Sequence, residues 1–136
     1  MEFTFTSNDK DYTLNNNNCE GIFFENDQKI DGITLDTILE ALNDGEEVSF
    51  TNEYYTGKCS CDSQEQVGKY YRYLEYHFYI YTKDNKYVIN TICKDYEDTS
   101  YNKLWSIGKV DNSYIVNVTV CPDCGVYSIE IEQCEV

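Results

Sequence analysis

Cys121 and Cys124 are separated by Pro122 and Asp123 and followed by Gly125, within the closing segment VCPDCGVYSIEIEQCEV. This spacing lets both sulfurs face one ion. The proline fixes the turn, and the glycine can take the positive φ that points backbone N–H groups back at the thiolates. The motif reads as a zinc knuckle, which supplies two ligands where a closed structural site needs four. The second pair is expected at Cys59 and Cys61, in KCSC. Their one-residue spacing is tighter than in most zinc sites. Two cysteines so close together in a polar loop nevertheless have no packing reason to be there, unlike a buried lone cysteine. The predicted metal set is Cys59, Cys61, Cys121 and Cys124, with structural Zn2+ as cofactor. Spacing alone admits iron as well.

Other chemistries fit the motif less well. A thioredoxin-like redox pair needs the first thiol at a helix N-terminus. Here the next residues alternate as a strand, with Tyr127, Ile129 and Ile131 against Ser128, Glu130 and Glu132. A nucleobase deaminase needs His-x-Glu and Pro-Cys-x-x-Cys. The one histidine, His77, lies in EYHFY, and the order here is Cys-Pro. A rubredoxin-type iron centre takes two such knuckles, and one is present. Four thiolates around a divalent ion leave a formal charge of about −2 and no open position for water, so the site is expected to be structural rather than catalytic.

Seven cysteines are too many for the four ligands and too odd a number for a fully paired disulfide framework. Cys93, beside Ile92 in an apolar stretch, is expected in the core. Cys134, close to the C-terminus, is open to recruitment as a ligand, and Cys19 has no assigned role. His77 is expected to be a hydrogen-bonded strand residue. Replacement of a proposed ligand by Cys93, Cys134 or His77 stays open.

The elements that must position these residues are mostly strands. EFTFT and DYTL flank SNDK as an opening hairpin, NNNN is a loop, and GIFFEN is a short strand. The one clear helix spans about residues 35–43. There Leu35, Ile38, Leu39 and Leu42 make one apolar face, Thr34 is the expected N-cap, and Gly45 is expected to stop the helix in left-handed geometry. EEVSFTNEYY, alternating at Val48 and Phe50, reads as a strand, and TGKCSCDSQEQVGK reads as an exposed loop. In YYRYLEYHFYIYTKDNKYVINTI, Leu74, Tyr76, Phe78 and Ile80 share one strand face, with Tyr73, Glu75, His77, Tyr79 and Tyr81 on the other. That aromatic face is expected to pack beneath a helix or loop rather than to stack on a ligand ring. Residues 99–108 suit a short helix with Tyr101, Leu104 and Trp105 inward. VDNSYIVNVTV and VYSIEIEQ then form a hairpin closed by the Cys-Pro-Asp-Cys-Gly turn. The fold class is α+β, with a mainly antiparallel sheet, one clear helix and a zinc-knuckle hairpin at the C-terminus.

At 136 residues the chain suits a single domain, 1–136. The net charge of −15, from 25 acidic and 10 basic residues, repels phosphate backbones and anionic membranes and leaves a protein partner as the open possibility. No apolar run is long enough to span a bilayer, and the opening residues carry no secretory pattern, so the expected location is the cytoplasm. The fourteen tyrosines are read as the composition of an AT-rich genome rather than as a functional signal.

LEYHFYIYTKD, GKVDNSYIV and CGVYSIEIEQCEV resemble segments of a family of uncharacterised small proteins from low-GC Gram-positive bacteria, catalogued as a domain of unknown function. The resemblance runs over most of the chain and implies one full-length domain and no particular activity. The function is therefore expected to be that of a small acidic binding module stapled by one metal. The alternative is a thiol-redox or metal-transfer protein using the Cys121/Cys124 pair. No motif supports an enzyme, and the oligomeric state is left open.

Overall fold

Alternating side chains and two-residue turns generate most of the architecture. The computed structural model describes residues 1–45, 48–59, 61, 64 and 66–134. Strands β1 (Phe3–Ser7) and β2 (Lys10–Leu14) pair as an antiparallel hairpin. Asn8 and Asp9 turn it with φ of 53° and 65°, the left-handed pair that matches strand twist and that Asn and Asp tolerate.

Among the described residues the second sheet has seven strands: β3 (Cys19–Phe24), β4 (Thr51–Tyr55), β5 (Gln66–Val67), β6 (Tyr70–Lys83), β7 (Lys86–Asn90), β8 (Asn112–Val120) and β9 (Tyr127–Gln133). Their order is β3-β9-β8-β6-β4, with β5 and β7 also pairing β6. The sheet is mainly antiparallel, and β3 joins β9 in parallel. Its inner face carries Leu74, Phe78, Ile80, Val116, Val118, Ile129 and Ile131, all buried. These pack with the hairpin's Phe3, Phe5, Tyr12 and Leu14 and with helix α1 (Leu35–Asp44) in the main core.

Helix α1 presents Ile38, Leu39, Ala41 and Leu42 inward. It starts at a capping box: Thr34 accepts from the Thr37 N–H, and the Thr34 N–H donates to the Thr37 hydroxyl at 2.7 Å. The left-handed stop expected at Gly45 does not occur, since its φ and ψ are −70° and 135°. Space explains the glycine instead. A Cβ there would meet Val48 Cγ2 at 2.8 Å.

The strand expected around Val48 and Phe50 begins later, at Thr51, while its first residues, 46–47, lie outside the described ones. Phe50 instead stacks on Phe5, with ring centroids 4.0 Å apart. Helix α2 (Tyr101–Ser106) forms where expected and buries Leu104, but Trp105 is 61% exposed. Trp105 sits about 100° round the helix from Leu104 and falls on its outer side.

The outer face of β6 is covered at its two ends by different elements. Tyr81 is buried with Leu104 and Val110, against Tyr96 and Tyr101. Tyr73 donates to the carbonyl of Gly57 at 2.9 Å, beneath the loop that follows β4. His77 and Tyr79, between these ends, are exposed. The aromatic face is thus packed at both ends and open in the middle.

Candidate metal centre

Sheet register explains why two distant cysteine pairs meet. Tyr55, the last residue of β4, pairs with Tyr71 of β6. Gln66, the first residue of β5, pairs with the same Tyr71. Two strands paired to one residue lie on its opposite edges, so the connection between them crosses β6 as a strap. It crosses on the outer face, where Gly57 accepts from Tyr73. Strand β8 ends at Val120, opposite Leu74, and delivers Cys121 to the edge where the strap lands.

The strap is anchored by a residue that no sequence motif singles out. Gln64 is buried: its side-chain oxygen accepts from the Cys59 N–H at 2.9 Å, and its amide donates to Arg72 O at 2.8 Å. Cys59 is buried as well, so this part of the segment is not the exposed loop expected. A glutamine in a polar run gives no such signal until its partners are in place.

The opposing turn is set by the β8–β9 hairpin. Cys121 N donates to Val126 O and Gly125 N donates to Cys121 O, both at 2.9 Å. Gly125 has φ of 78°, the left-handed conformation that favours glycine. Asn18, at the end of the asparagine loop, braces the turn by donating to Gly125 O at 3.1 Å while its own carbonyl accepts from Tyr127 N.

Between strap and turn the sulfurs of Cys59, Cys61, Cys121 and Cys124 all lie within 4.8 Å of one another, a group able to hold a metal ion. Cys59 Sγ is 3.6 Å from Cys124 Sγ, and Cys61 Sγ is 3.7 Å from Cys121 Sγ. A tetrahedron with metal–sulfur bonds of about 2.3 Å has edges of about 3.8 Å. These two distances thus have the length of a tetrahedral edge, and all seven cysteines are free thiols.

Burial pushes the Cys121 thiol up, while hydrogen bonds from the backbone of Cys124 and Asp123 pull it down. Burial also raises Cys124, opposed by the Val126 backbone, and raises Cys59, opposed by the Cys61 backbone. These backbone groups are aimed where anionic ligand sulfurs need compensation. A cysteine ligates a metal as the thiolate, so metal binding at this group would release protons. A strand rather than a helix follows Cys124, so the helix end that would activate a redox thiol is missing.

A family model for a protein of unknown function, DUF3785, matches residues 3–136. The chain belongs to the DUF3785 family. No curated protein and no solved structure matches it. The match takes in both cysteine pairs, so the whole candidate site lies within the DUF3785 region. The other candidates fall elsewhere. Cys93 is half-buried and donates to Asn90 O at 3.3 Å, Cys19 pairs with Tyr127 in the β3–β9 register, and Cys134 lies beside α2 near Trp105. His77 is exposed, edge-on to Tyr79. None of these four belongs to the sulfur cluster.

Beside the cluster lies a trough about 530 Å³ in volume that no sequence motif marks, walled by Tyr55 and Tyr73 and bordered by Glu20, Glu75 and Glu130. The outward position of Glu75 is legible in the alternation of β6. Its proximity to Glu130 and Glu20 depends on the register of β9 and β3. No helix among the described residues is long and apolar enough to cross a membrane.

Proposed function

We propose that the chain is a single-domain binding module whose strap and C-terminal hairpin are locked together by one structural zinc ion on Cys59, Cys61, Cys121 and Cys124. The observation that carries this reading is the mutual approach of the four sulfurs, at the spacing a tetrahedral thiolate site requires. The turn at Cys121–Gly125 is then a zinc knuckle. Zinc is favoured over iron because the paired knuckles of a rubredoxin site are replaced here by one knuckle and a Cys-x-Cys strap.

A four-thiolate site offers no open position for substrate, so the ion acts on the fold and not on a reaction. Seven free thiols suit a reducing compartment such as the cytoplasm. With a net charge of −15 the partner is a protein rather than a nucleic acid or an anionic membrane.

Elemental analysis of the purified protein tests the reading. One zinc per chain, lost on mutation of Cys59 or Cys124, is expected, and a protein purified without bound metal overturns it. A second reading, metal transfer, draws on the exposure of Cys124, where an incoming chelator can reach a ligand sulfur. Rapid exchange of the ion with a competing chelator in the folded protein favours that reading, and slow exchange favours the structural one.

A further inference from the structure

We propose that the trough beside the four-thiol cluster receives the cationic side chain, arginine or lysine, of a basic segment in a protein partner. The proposal rests on the binding-module reading and names the chemistry of its ligand.

The trough is a product of register. Glu75 pairs with Thr119, which pairs with Ser128, so one row across three strands runs from a carboxylate to two short hydroxyl side chains. In the next row Asn117 pairs with Glu130. Short residues in the middle of a sheet face leave a depression, and longer neighbours raise its rim. The strap closes one end, and Tyr55 and Tyr73 stand as a wall, edge to face at 5.7 Å. Tyr55 is fixed by donating to the Glu75 carboxylate, and Tyr73 by donating to Gly57 O. The walls are therefore already placed without a ligand.

Three features select the ligand. The described lining residues include three acidic ones, Glu20, Glu75 and Glu130, and one basic one, Lys58. A metal-loaded cluster, with Cys59 and Cys121 on the border, adds further negative charge. The tyrosine faces attract cations, and carboxylates bind guanidinium groups through paired hydrogen bonds. A bare metal ion is not favoured, because among the described residues these carboxylates do not come close enough to form a metal-holding group.

The rim points to a protein rather than a free amine. Phe23 pairs with Glu130 in register and is 54% exposed, and Tyr79 stands exposed beyond His77. Exposed aromatics continuing the same face give the backbone and neighbours of a bound side chain something to cover. A free polyamine has no use for them.

The test is a titration of the isotopically labelled, zinc-replete protein, followed by nuclear magnetic resonance. The ligands are the peptide acetyl-Gly-Ser-Arg-Ser-Gly-amide, its citrulline counterpart and spermidine. Saturable shifts of the Thr119 and Ser128 amides with the arginine peptide are expected, with the neutral citrulline peptide roughly tenfold weaker. Removing the carboxylates with Glu75→Gln and Glu130→Gln should weaken the arginine peptide by a similar factor. The equal charge loss of Asp36→Asn and Glu40→Gln, on the exposed side of α1, should leave it unchanged. Equal binding of the citrulline peptide, equal weakening by the α1 control, or preferential saturation of the same amides by spermidine overturns the proposal. Zinc is measured in every variant. Peptide binding that persists in protein without metal overturns the structural-zinc reading and leaves the trough standing, whereas metal retained without peptide binding overturns the trough alone.

Discussion

The phenol of Tyr12 donates to the backbone carbonyl of Pro122 at 3.0 Å, joining residues 110 positions apart. Lys10 Nζ donates to the same oxygen at 2.9 Å. Pro122 is buried in the middle of the Cys-x-x-Cys turn, and a buried carbonyl must find donors. The N-terminal hairpin supplies them. One hairpin thus serves two purposes, covering the main core with Phe3, Phe5 and Leu14 and bracing the candidate metal turn from behind.

Replacing Tyr12 by Phe removes one of the two donors and keeps the ring packing against Phe5, whose centroid is 5.1 Å away. The expected loss is about 1 kcal/mol, the usual net worth of one hydrogen bond. Zinc content should be unchanged, because Lys10 still holds the carbonyl. Chemical denaturation of the two proteins, each assayed for metal, checks both parts. Loss of zinc from Tyr12→Phe would show the turn to be far more dependent on this brace than two donors imply.

The legible parts of the fold are those written in local pattern. The apolar spacing of Leu35, Ile38, Leu39 and Leu42 marks α1 to within a residue, and the alternation from Leu74 to Ile80 gives the correct buried face of β6. Cys121 and Cys124 were marked by spacing, and Cys59 and Cys61 by being out of place in a polar run. What stayed hidden depends on neighbours remote in sequence. The six residues Cys19–Phe24 cannot reveal that their partner β9 runs parallel to them. Likewise Gly45 is needed for the approach of Val48, which no helix-stop rule anticipates. The trough lies furthest from view, because its rows exist only once β6, β8 and β9 are in register.

Alkaline titration should separate the tyrosines into two groups. Burial is the largest cause of a raised phenol pKa for Tyr12, Tyr55, Tyr73, Tyr76, Tyr81, Tyr87, Tyr114 and Tyr127. A raised value means that the folded state favours the neutral phenol. The resulting stability is fully present below the unfolded value of 10.0 and is lost as pH rises through the folded values. Tyr12, Tyr81 and Tyr127, the buried ones among them, should ionise together with cooperative unfolding, read as a steep late rise in phenolate absorbance that coincides with loss of circular dichroism. A single gradual wave centred near 10.0 for all fourteen would contradict their burial.

If the proposed zinc joins the strap to the hairpin, metal removal should act first on those two segments. Hydrogen exchange with and without a strong chelator is expected to show faster exchange in Cys59, Gln64 and the strands β8 and β9 near their turn. Helix α1 should be less affected, because Ile38, Leu39 and Leu42 are buried by the main core rather than by the site. Unchanged protection across residues 114–132 would remove the structural role of the ion.

The strongest test of the four-cysteine set is a mutant cycle. The contact between Cys61 and Cys121 closes 60 residues of chain, and that between Cys59 and Cys124 closes 65. By chain entropy, a cross-link over a loop of that length is worth about 4 kcal/mol in the unfolded state, so the clamp should matter to the whole fold. Cys59→Ser and Cys124→Ser should each lower both zinc content and thermal stability. Because each single substitution disables one shared site, the double mutant should be much less unstable than the sum of the two. Cys93→Ser, whose thiol bonds Asn90 O instead, should keep its zinc and serve as the control. Strict additivity of the two ligand substitutions would mean that Cys59 and Cys124 act independently. If Cys59→Ser kept full zinc while Cys134→Ser or Cys93→Ser lost it, the strap would not be the second half of the site, and the turn at Cys121 and Cys124 would need ligands from elsewhere.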